Sequence, residues 1–436
     1  MRPTTLADWL DYQQCQHPCA IALGLERVRA LWRHLGEPLP APLVVTVGGT
    51  NGKGSTVAFL EAMLGASGRR VGAYTSPHLV RYNERIRVAG VEIDDESLIR
   101  AFERIEAARG DTPLTYFEFG TLAALLVFAA SRLDVALLEV GLGGRLDAVN
   151  LVDADAAIVS TIGLDHQDWL GADRDSIGRE KAGIARAGRP LVIGETDPPA
   201  GLIAAVAEAG ARLVRAGHDY RIETGAHGRW IWSTAGERLD LPPPALAAPC
   251  QPANAAAAIA VLHALRERLG WEPAAIAAGV AQARLAGRLQ RLAGEIELIV
   301  DVAHNPQAAA QLAAWLAAHP PRGADRAVFS ALGDKDIAGI VAPLRTAFAH
   351  WHLAGLRSET PRGLDSDALA ARLASQSISA ARCSTHASLA AALDAACAAS
   401  RPGDRVLAFG SFYVAAAAMA WADARSCDGR GVPGTG

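Results

Sequence analysis

The sequence has no marked excess of either charge, no long apolar run and no paired-cysteine motif, and each absence removes a class of function. Lys and Arg number 42 against 46 Asp and Glu, a net charge of -4, so no broad positive field surrounds the molecule and nucleic acid is not expected as its main partner. Half of the residues are hydrophobic, but many are alanine. The longest apolar runs, at 122–130 and 414–422, fall far short of the roughly 20 residues that span a bilayer, so no membrane partner is expected. The opening MRPTTLADWLDYQQCQHP carries Asp8 and Asp11 and lacks the apolar core of a secretory leader, which points to the cytoplasm. Cys15, Cys19, Cys250, Cys383, Cys397 and Cys427 are scattered, with no CxxC pair and no small domain to staple. Reduced thiols and no zinc site are therefore expected. No internal repeat is visible.

What is present is α/β patterning. A chain of 436 residues has a length prior of roughly three domains, although one large α/β domain with a smaller companion fits as well. Short runs rich in Val, Ile and Leu at 43–47, 71–75, 135–140, 156–161 and 190–193 alternate with Ala-rich stretches of helical period, the pattern of βαβ units and a mainly parallel sheet. Between 220 and 241 Gly-containing turns separate β-rich runs, which predicts a small antiparallel meander. A proline-rich connector at 241–249 leads to an Ala-rich helix pair ending near 285, and a second α/β series follows with strands at 297–302, 326–332, 350–356 and 405–410. These features predict domains at 1–290 and 295–425, with a boundary within 288–294 and a disordered tail at 426–436 that has no apolar face.

The strand at 43–47 runs into GGTNGKGS at 48–55 and then a helical stretch at 56–64. That order cradles phosphate, with main-chain N–H groups and a helix N-terminus as the anion site, Lys53 as the point charge and a hydroxyl for magnesium. The spacing departs from the usual Walker A pattern, because Val47 stands where its first Gly would be and Gly54 separates Lys53 from Ser55. By themselves these residues leave nucleotide binding and a structural turn both open. Other residues stand in suggestive places without deciding anything. Glu139 ends an apolar strand, where open α/β sheets bind ligands, yet a strand-end acid can equally serve a salt bridge. Ser76 precedes Pro77 as a turn or cap residue would, His166 reads as a loop histidine, and Lys181 reads as an exposed helical lysine beside Glu180. Tyr116 and Phe117, taken as lying at a strand or loop, are the kind of pair that is usually core. The run Asp301, His304, Asn305, Pro306 puts four polar or turn residues at one strand terminus.

The segment TNGKGS resembles the loop of the Mur ligase-like superfamily of ATP-dependent amide-forming ligases. SPHL at 76–79, NERI at 83–86, YFE at 116–118, EVGLGGRLD at 139–147, LDH at 164–166, EKAGI at 180–184 and DVAHNP at 301–306 follow in order. Together they resemble the dihydrofolate synthase/folylpolyglutamate synthase family over about 6–424. The resemblance implies an N-terminal P-loop Mur ligase-like domain carrying the meander, a C-terminal Rossmann-like domain, and an active site in the cleft between them. It implies a ligase that adds L-glutamate to 7,8-dihydropteroate and to the γ-carboxyl of reduced folates through an acyl phosphate. ATP is then the co-substrate, magnesium occupies two sites, there is room for a monovalent cation, the partners are small molecules, and the enzyme is a monomer.

Residue by residue, the resemblance assigns Thr50, Asn51, Gly52, Lys53, Gly54, Ser55, Asn254, Arg288 and Asp301 to ATP. Ser76, Glu139, His166 and a carbamylated Lys181 become metal ligands, with Lys53, Lys181 and His304 in catalysis. Ile21, Ala22, Thr115, Tyr116, Phe117, Glu118, Arg145, Leu146, Asp147 and Ala148 line the pterin site, and His304 and Ser411 meet glutamate. Ala22 is a departure, since bacterial bifunctional members typically carry an Asp there. Three alternatives remain at this stage: a ligase of the superfamily with one activity, a ligase acting on a peptidoglycan precursor, and a P-loop ATPase or switch whose second domain binds a partner. The second would need an extra N-terminal domain, whereas about 40 residues precede the P-loop strand.

Overall fold

The structure, a computed structural model, describes residues 3–17, 21–292, 294 and 296–427. Cys19 and, from 428 on, the tail expected to be disordered lie outside the described residues; the last helix, Phe412–Cys427, reaches into that stretch. The chain forms two compact units, one made of Met1–Ala245 with Gln251–Arg284 and the other of Leu246–Cys250 with Leu285–Gly436. Among the described residues no helix is long and apolar enough to cross a membrane.

The first unit is built on eight strands: β1 Val44–Gly48, β2 Val71–Tyr74, β3 Ile86–Val88, β4 Val91–Glu92, β5 Val135–Glu139, β6 Ala156–Val159, β7 Pro190–Ile193 and β8 Arg212–Arg215, in the order β4-β3-β2-β5-β1-β6-β7-β8. From β2 to β8 neighbours run parallel, while β3 and β4 add an antiparallel edge on β2. Every residue of β1 and β5 is buried, as expected where helices cover both faces of a parallel sheet. Helix Tyr116–Ala130 is apolar nearly all round, and it buries Phe119, Leu122, Leu125 and Phe128 in a core shared with Trp9, Tyr82 and Phe102. Such a helix belongs inside a core rather than on a surface. The register pairs Val47 with Glu139 and Gly48 with Val159. It therefore sets the C-terminal ends of β5, β1 and β6 side by side, the edge where open α/β sheets bind ligands.

Strands β9 Arg221–Thr224, β10 Trp230–Ser233 and β11 Arg238–Leu241 form the separate antiparallel meander. Trp230, Trp232, Leu239 and Leu241 face inward in alternation.

The second unit holds β12 Gln290–Leu292, β13 Glu297–Val300, β14 Asp325–Phe329, β15 His350–Ala354, β16 Cys383–His386 and β17 Arg405–Phe409 in the order β12-β13-β17-β14-β15-β16, antiparallel only at β12. Phe329, Phe348, Trp351 and Phe409 pack ring on ring at its centre. Beside them Arg405 grips Asp325 through two bonds of 2.6 and 2.9 Å and lies 4.7 Å over the Trp315 ring. Both partners are buried, and removing one member of such a pair leaves an uncompensated charge in the core. Asp325→Ala is therefore expected to cost about 3–5 kcal/mol, read as a lower urea midpoint; a midpoint within error of wild type would show that solvent reaches Arg405.

Several strands stop earlier than the apolar pattern predicts. Val140, Val302 and Leu356 continue that pattern past the end of the ladder because they are buried in the loops that follow. Burial, not pairing, is what their chemistry reports.

Candidate functional site

The loop after β1 can only be glycine-rich. Gly49 has φ +139 and Gly52 φ +86, in the region that favours glycine. A Cβ would collide with Ser160 at the first and with Asn254 at the second. The loop is laced to the end of β6. Thr50 N donates to Thr161 O at 2.7 Å, Asn51 N to Thr161 Oγ1 at 3.1 Å, and Ser160 Oγ to Asn51 O at 2.6 Å. Thr50 Oγ1 donates to Gly163 O at 3.1 Å and accepts from Gly163 N at 3.0 Å. The helix begins at Lys53, earlier than the expected 56, because Gly54 and Ser55 already belong to its first turn. Lys53 Nζ folds back over the loop, donating to Gly49 O at 3.1 Å and Thr50 O at 3.2 Å.

Glu139, buried at the end of β5, accepts from Ser76 N at 3.1 Å and so ties the loop after β2 to this edge. Lys181 is the main correction to the residue reading. It is not an exposed helical lysine but is 4% exposed, and its Nζ donates to Gly49 O at 3.1 Å, the same oxygen that Lys53 uses. Its helix, Arg174–Ala182, can come this close because Gly144 and Gly183 leave room: a Cβ at Gly183 would collide with Arg145, and one at Gly144 would be crowded at 3.1 Å by Lys181 O. Burial, and after it the Lys53 charge, holds the Lys181 amino group down at about 7. The half-buried His166, at φ +51, heads the short helix Gln167–Leu170 just beyond Gly163.

Tyr116 and Phe117 are not at a strand or loop but in the first turn of a helix. Thr115 is its N-cap, and Glu118 completes a capping box, its Oε2 accepting from Thr115 N at 2.8 Å. That box satisfies two N–H groups of the helix start. Arg27 joins this corner to the N-terminal segment, donating to Glu118 Oε2 at 3.2 Å and to Ala22 O at 2.7 Å. Gly24 N donates to Leu146 O at 3.3 Å, so Ala22, Leu146, Thr115 and Glu118 are brought together next to Ile21. The Phe117 ring lies against Gly141, where any Cβ would strike it. Arg85, buried in the NERI motif, donates to His78 Nδ1 at 2.8 Å and lies 5.2 and 5.5 Å from the Tyr82 and Tyr116 ring centres. Burial and the Arg85 charge hold His78 down at about 4, so it stays a neutral acceptor.

Asp147 is buried and braces the loop at 141–149, accepting from Leu142 N at 2.8 Å and Val149 N at 2.9 Å. Burial outweighs these bonds and raises its carboxyl to about 6. Ala148 is buried beside it. Arg145 points outward and pairs with Glu180 at 3.0 Å, while its N–H bonds Glu180 O at 3.1 Å.

In the second unit Asp301 closes β13, accepting from Leu289 N at 2.9 Å and Ala303 N at 2.8 Å. Burial raises its carboxyl against the opposing pull of Arg288. The Arg288 guanidinium lies 5.5 Å from the Phe412 ring centre and the His304 ring 5.9 Å from it, while Ser411, buried after β17, accepts from Val414 N at 3.2 Å. Sequence reasoning missed Phe412, although it adjoins Ser411, and it missed Ser160, Thr161 and Arg85. Only Arg85 stood inside a motif, and the others become visible through contacts between distant segments.

The P-loop site and the Asp301–His304 cluster fall within two matched families. Residues 47–262 match the Mur ligase middle domain and 287–412 the Mur ligase glutamate ligase domain. The dihydrofolate synthase/folylpolyglutamate synthase of Escherichia coli K12 is 46% identical over 98% of this chain and 97% of its own. A solved structure of the E. coli protein in complex with DHPP and ADP superposes with a TM-score of 0.90 at 46% identity, covering 97% of this chain and 99% of that one. A structure of a bifunctional folylpolyglutamate synthase/dihydrofolate synthase with Mn, AMPPNP and L-glutamate bound gives 0.86 at 45% identity, covering 96% and 98%. With the motifs in order, both domain families matched and identity sustained along the whole chain, the protein belongs to the dihydrofolate synthase/folylpolyglutamate synthase family of the Mur ligase superfamily.

Proposed function

We propose that this chain is an ATP-dependent ligase that adds L-glutamate to 7,8-dihydropteroate, giving dihydrofolate, and to the γ-carboxyl of reduced folates, giving folylpolyglutamates. The observation that carries the reading is the meeting of Lys53 and Lys181 on Gly49 O, next to the β5 end where Glu139 holds Ser76. This joins a phosphate loop to the residues proposed as metal ligands, in a chain 46% identical to an enzyme of that name.

A substrate carboxylate attacks the γ-phosphate of ATP, forming an acyl phosphate and ADP; the amino group of glutamate then attacks the carbonyl, and phosphate leaves. ATP supplies the driving force, so the protein's work is positioning and charge stabilisation. The loop N–H groups and Lys53, with Thr50, Asn51, Gly52, Gly54, Ser55 and Asn254, are assigned to the triphosphate and nucleotide. In the second unit Arg288 and Asp301 are assigned to the nucleotide, and His304 and Ser411 to glutamate.

Among the described residues no three His, Cys, Asp or Glu side chains are grouped to hold a metal ion, so magnesium would rest on mixed donors: Ser76, Glu139, His166 and Lys181. Glu139 fits as a hard oxygen ligand. A charged Lys181 would not fit, but a buried amine held down at about 7 carries a substantial neutral fraction at neutral pH. It can add carbon dioxide, losing one proton and becoming a carbamate anion. When bound, magnesium would neutralise charge on the phosphate oxygens. The family resemblance supports two such ions with room for a monovalent cation, and a monomer in the cytoplasm acting on small molecules alone.

Glutamate-dependent ADP release over a panel of carboxylates tests the reading. Release with dihydropteroate and with a reduced folate is expected; release that ignores glutamate would leave an ATPase. Ile21, Ala22, Thr115, Tyr116, Phe117, Glu118, Arg145, Leu146, Asp147 and Ala148 are assigned to the pterin. Dihydropteroate presents its carboxylate close to the ring and a folate presents its γ-carboxyl farther away, so one rigid pose cannot serve both. Asp147→Ala, which unties the loop against Phe117, is therefore expected to slow dihydropteroate ligation about tenfold more than folate extension, the scale of a lost buried hydrogen bond to a charged group. Parallel losses would instead assign Asp147 a role common to both reactions.

A further inference from the structure

We infer that Gln251 is a positioning residue for the nucleotide, its single side-chain amide orienting both the Ser55 hydroxyl and the Asn254 amide against the phosphate loop. The inference rests on the ligase reading above and adds a residue that neither the motifs nor the family likeness pointed to.

Gln251 opens helix Gln251–Ala264, which packs on the P-loop helix Lys53–Ala66. It is 2% exposed, as is Ser55, and Asn254 is 5% exposed, so water is not available to complete their hydrogen bonds. Gln251 Oε1 accepts from Asn254 Nδ2 at 3.0 Å, and Gln251 Nε2 donates to Ser55 Oγ at 3.3 Å. These two bonds fix which way each amide faces. With Nδ2 of Asn254 turned to Gln251, its Oδ1 is the atom that lies against Gly52 of the loop, at the point a Cβ would occupy. With Nε2 of Gln251 turned to Ser55, the hydroxyl receives a hydrogen bond there and keeps its own proton and a second lone pair for another partner. The loop hydroxyl is thus oriented before any ligand arrives, and orientation in advance is what improves affinity at least cost in ordering.

Packing alone does not explain an amide at this place. The same helix buries Ala255, Ala256, Ala257, Ala258 and Ile259, an apolar surface sufficient to seat it. An amide buried there stabilises only if its partners are kept in register.

The test compares Gln251→Met, which keeps volume but removes the amide, with Asn254→Ala and the double variant. Equilibrium binding of a non-hydrolysable ATP analogue is read beside KM for ATP and kcat, with melting temperature as a control. Gln251→Met is expected to raise the analogue's Kd and the KM for ATP about tenfold, with kcat within about threefold, the pattern of lost ground-state binding. The double variant is expected to bind no more than about twofold worse than Asn254→Ala, because both changes break one arrangement. Unchanged Kd in Gln251→Met, with or without a lower melting temperature, overturns the inference, as do independent, multiplying losses in the double variant. A wild type that fails to bind the analogue would instead refute the ligase reading.

Discussion

Lys181→Ala is expected to lower glutamate-dependent ADP release by on the order of a thousandfold, the upper range for removing one charge-stabilising group from a transition state. Lys181 is nearly inaccessible and its Nζ bonds the loop oxygen Gly49 O. A plain ammonium there would sit beside Lys53, which uses the same oxygen. Burial penalises the ammonium and a second cation on the same carbonyl repels it, so the amino group is held down at about 7 and a substantial fraction is the neutral, nucleophilic amine near pH 7. Carbamylation would turn a repulsive pair into an attractive one and create an anion close to the phosphate loop. Three measurements separate this role from simple packing. Labelled bicarbonate is expected to give a carbamate carbon resonance in the wild type that vanishes in the variant. Lys181→Met, which preserves volume, is expected to be as inactive as the alanine variant. A short carboxylic acid in solution is expected to restore part of the activity to Lys181→Ala. An active Lys181→Met enzyme, or a fully active wild type without the resonance, would refute the carbamate.

How much of this was legible beforehand differs between strands and side chains. Strands β1, β5, β6 and β7 announce themselves as continuous Val, Ile and Leu runs because both faces of a parallel sheet are buried. The meander shows in its alternation, with Trp230, Trp232, Leu239 and Leu241 inward. By contrast β3 and β4, short and only partly buried or exposed, carry no periodicity long enough to detect. So does β8 at the sheet edge, which begins and ends in arginine. The phosphate loop was legible because its glycines are imposed locally: Gly49 and Gly52 need their dihedral angles and have no space for a Cβ. Lys181 was not, because its burial comes from tertiary approach through Gly144 and Gly183. In SIGREKAGIARAG a lysine preceded by Arg179 and Glu180 has the composition of a solvated helix face.

The same contrast holds for the acids. Glu118 and Asp147 look like substrate acceptors by type, but in the folded chain each already serves the main chain, one as a helix cap and the other as a loop brace. In the proposed pterin wall they would act mainly through shape: Glu118 holds Thr115 and, through Arg27, the Ala22 carbonyl, while Asp147 holds the loop that meets Phe117. Sequence chemistry identifies an acid; only the fold tells whether its oxygens are already committed.

Glu139→Gln isolates charge from geometry at the end of β5. Glutamine has nearly the same volume, and its amide oxygen can still accept from Ser76 N, the bond of 3.1 Å that joins the loop after β2 to this edge. The loop should therefore keep its place, and the melting temperature should move little. What disappears is a negative charge in a buried position, and a divalent cation that prefers hard, charged oxygen ligands loses much of its attraction to the site. The magnesium concentration for half-maximal ADP release is expected to rise at least tenfold, with turnover at saturating magnesium lower by about a hundredfold, since a weakly or wrongly held metal stabilises less of the charge developing on the phosphate. Glu139→Ala, which also frees Ser76, is expected to be worse than Glu139→Gln at every magnesium concentration. A magnesium titration for Glu139→Gln that superposes on the wild type would remove Glu139 from the metal site and leave it as the anchor of Ser76 alone.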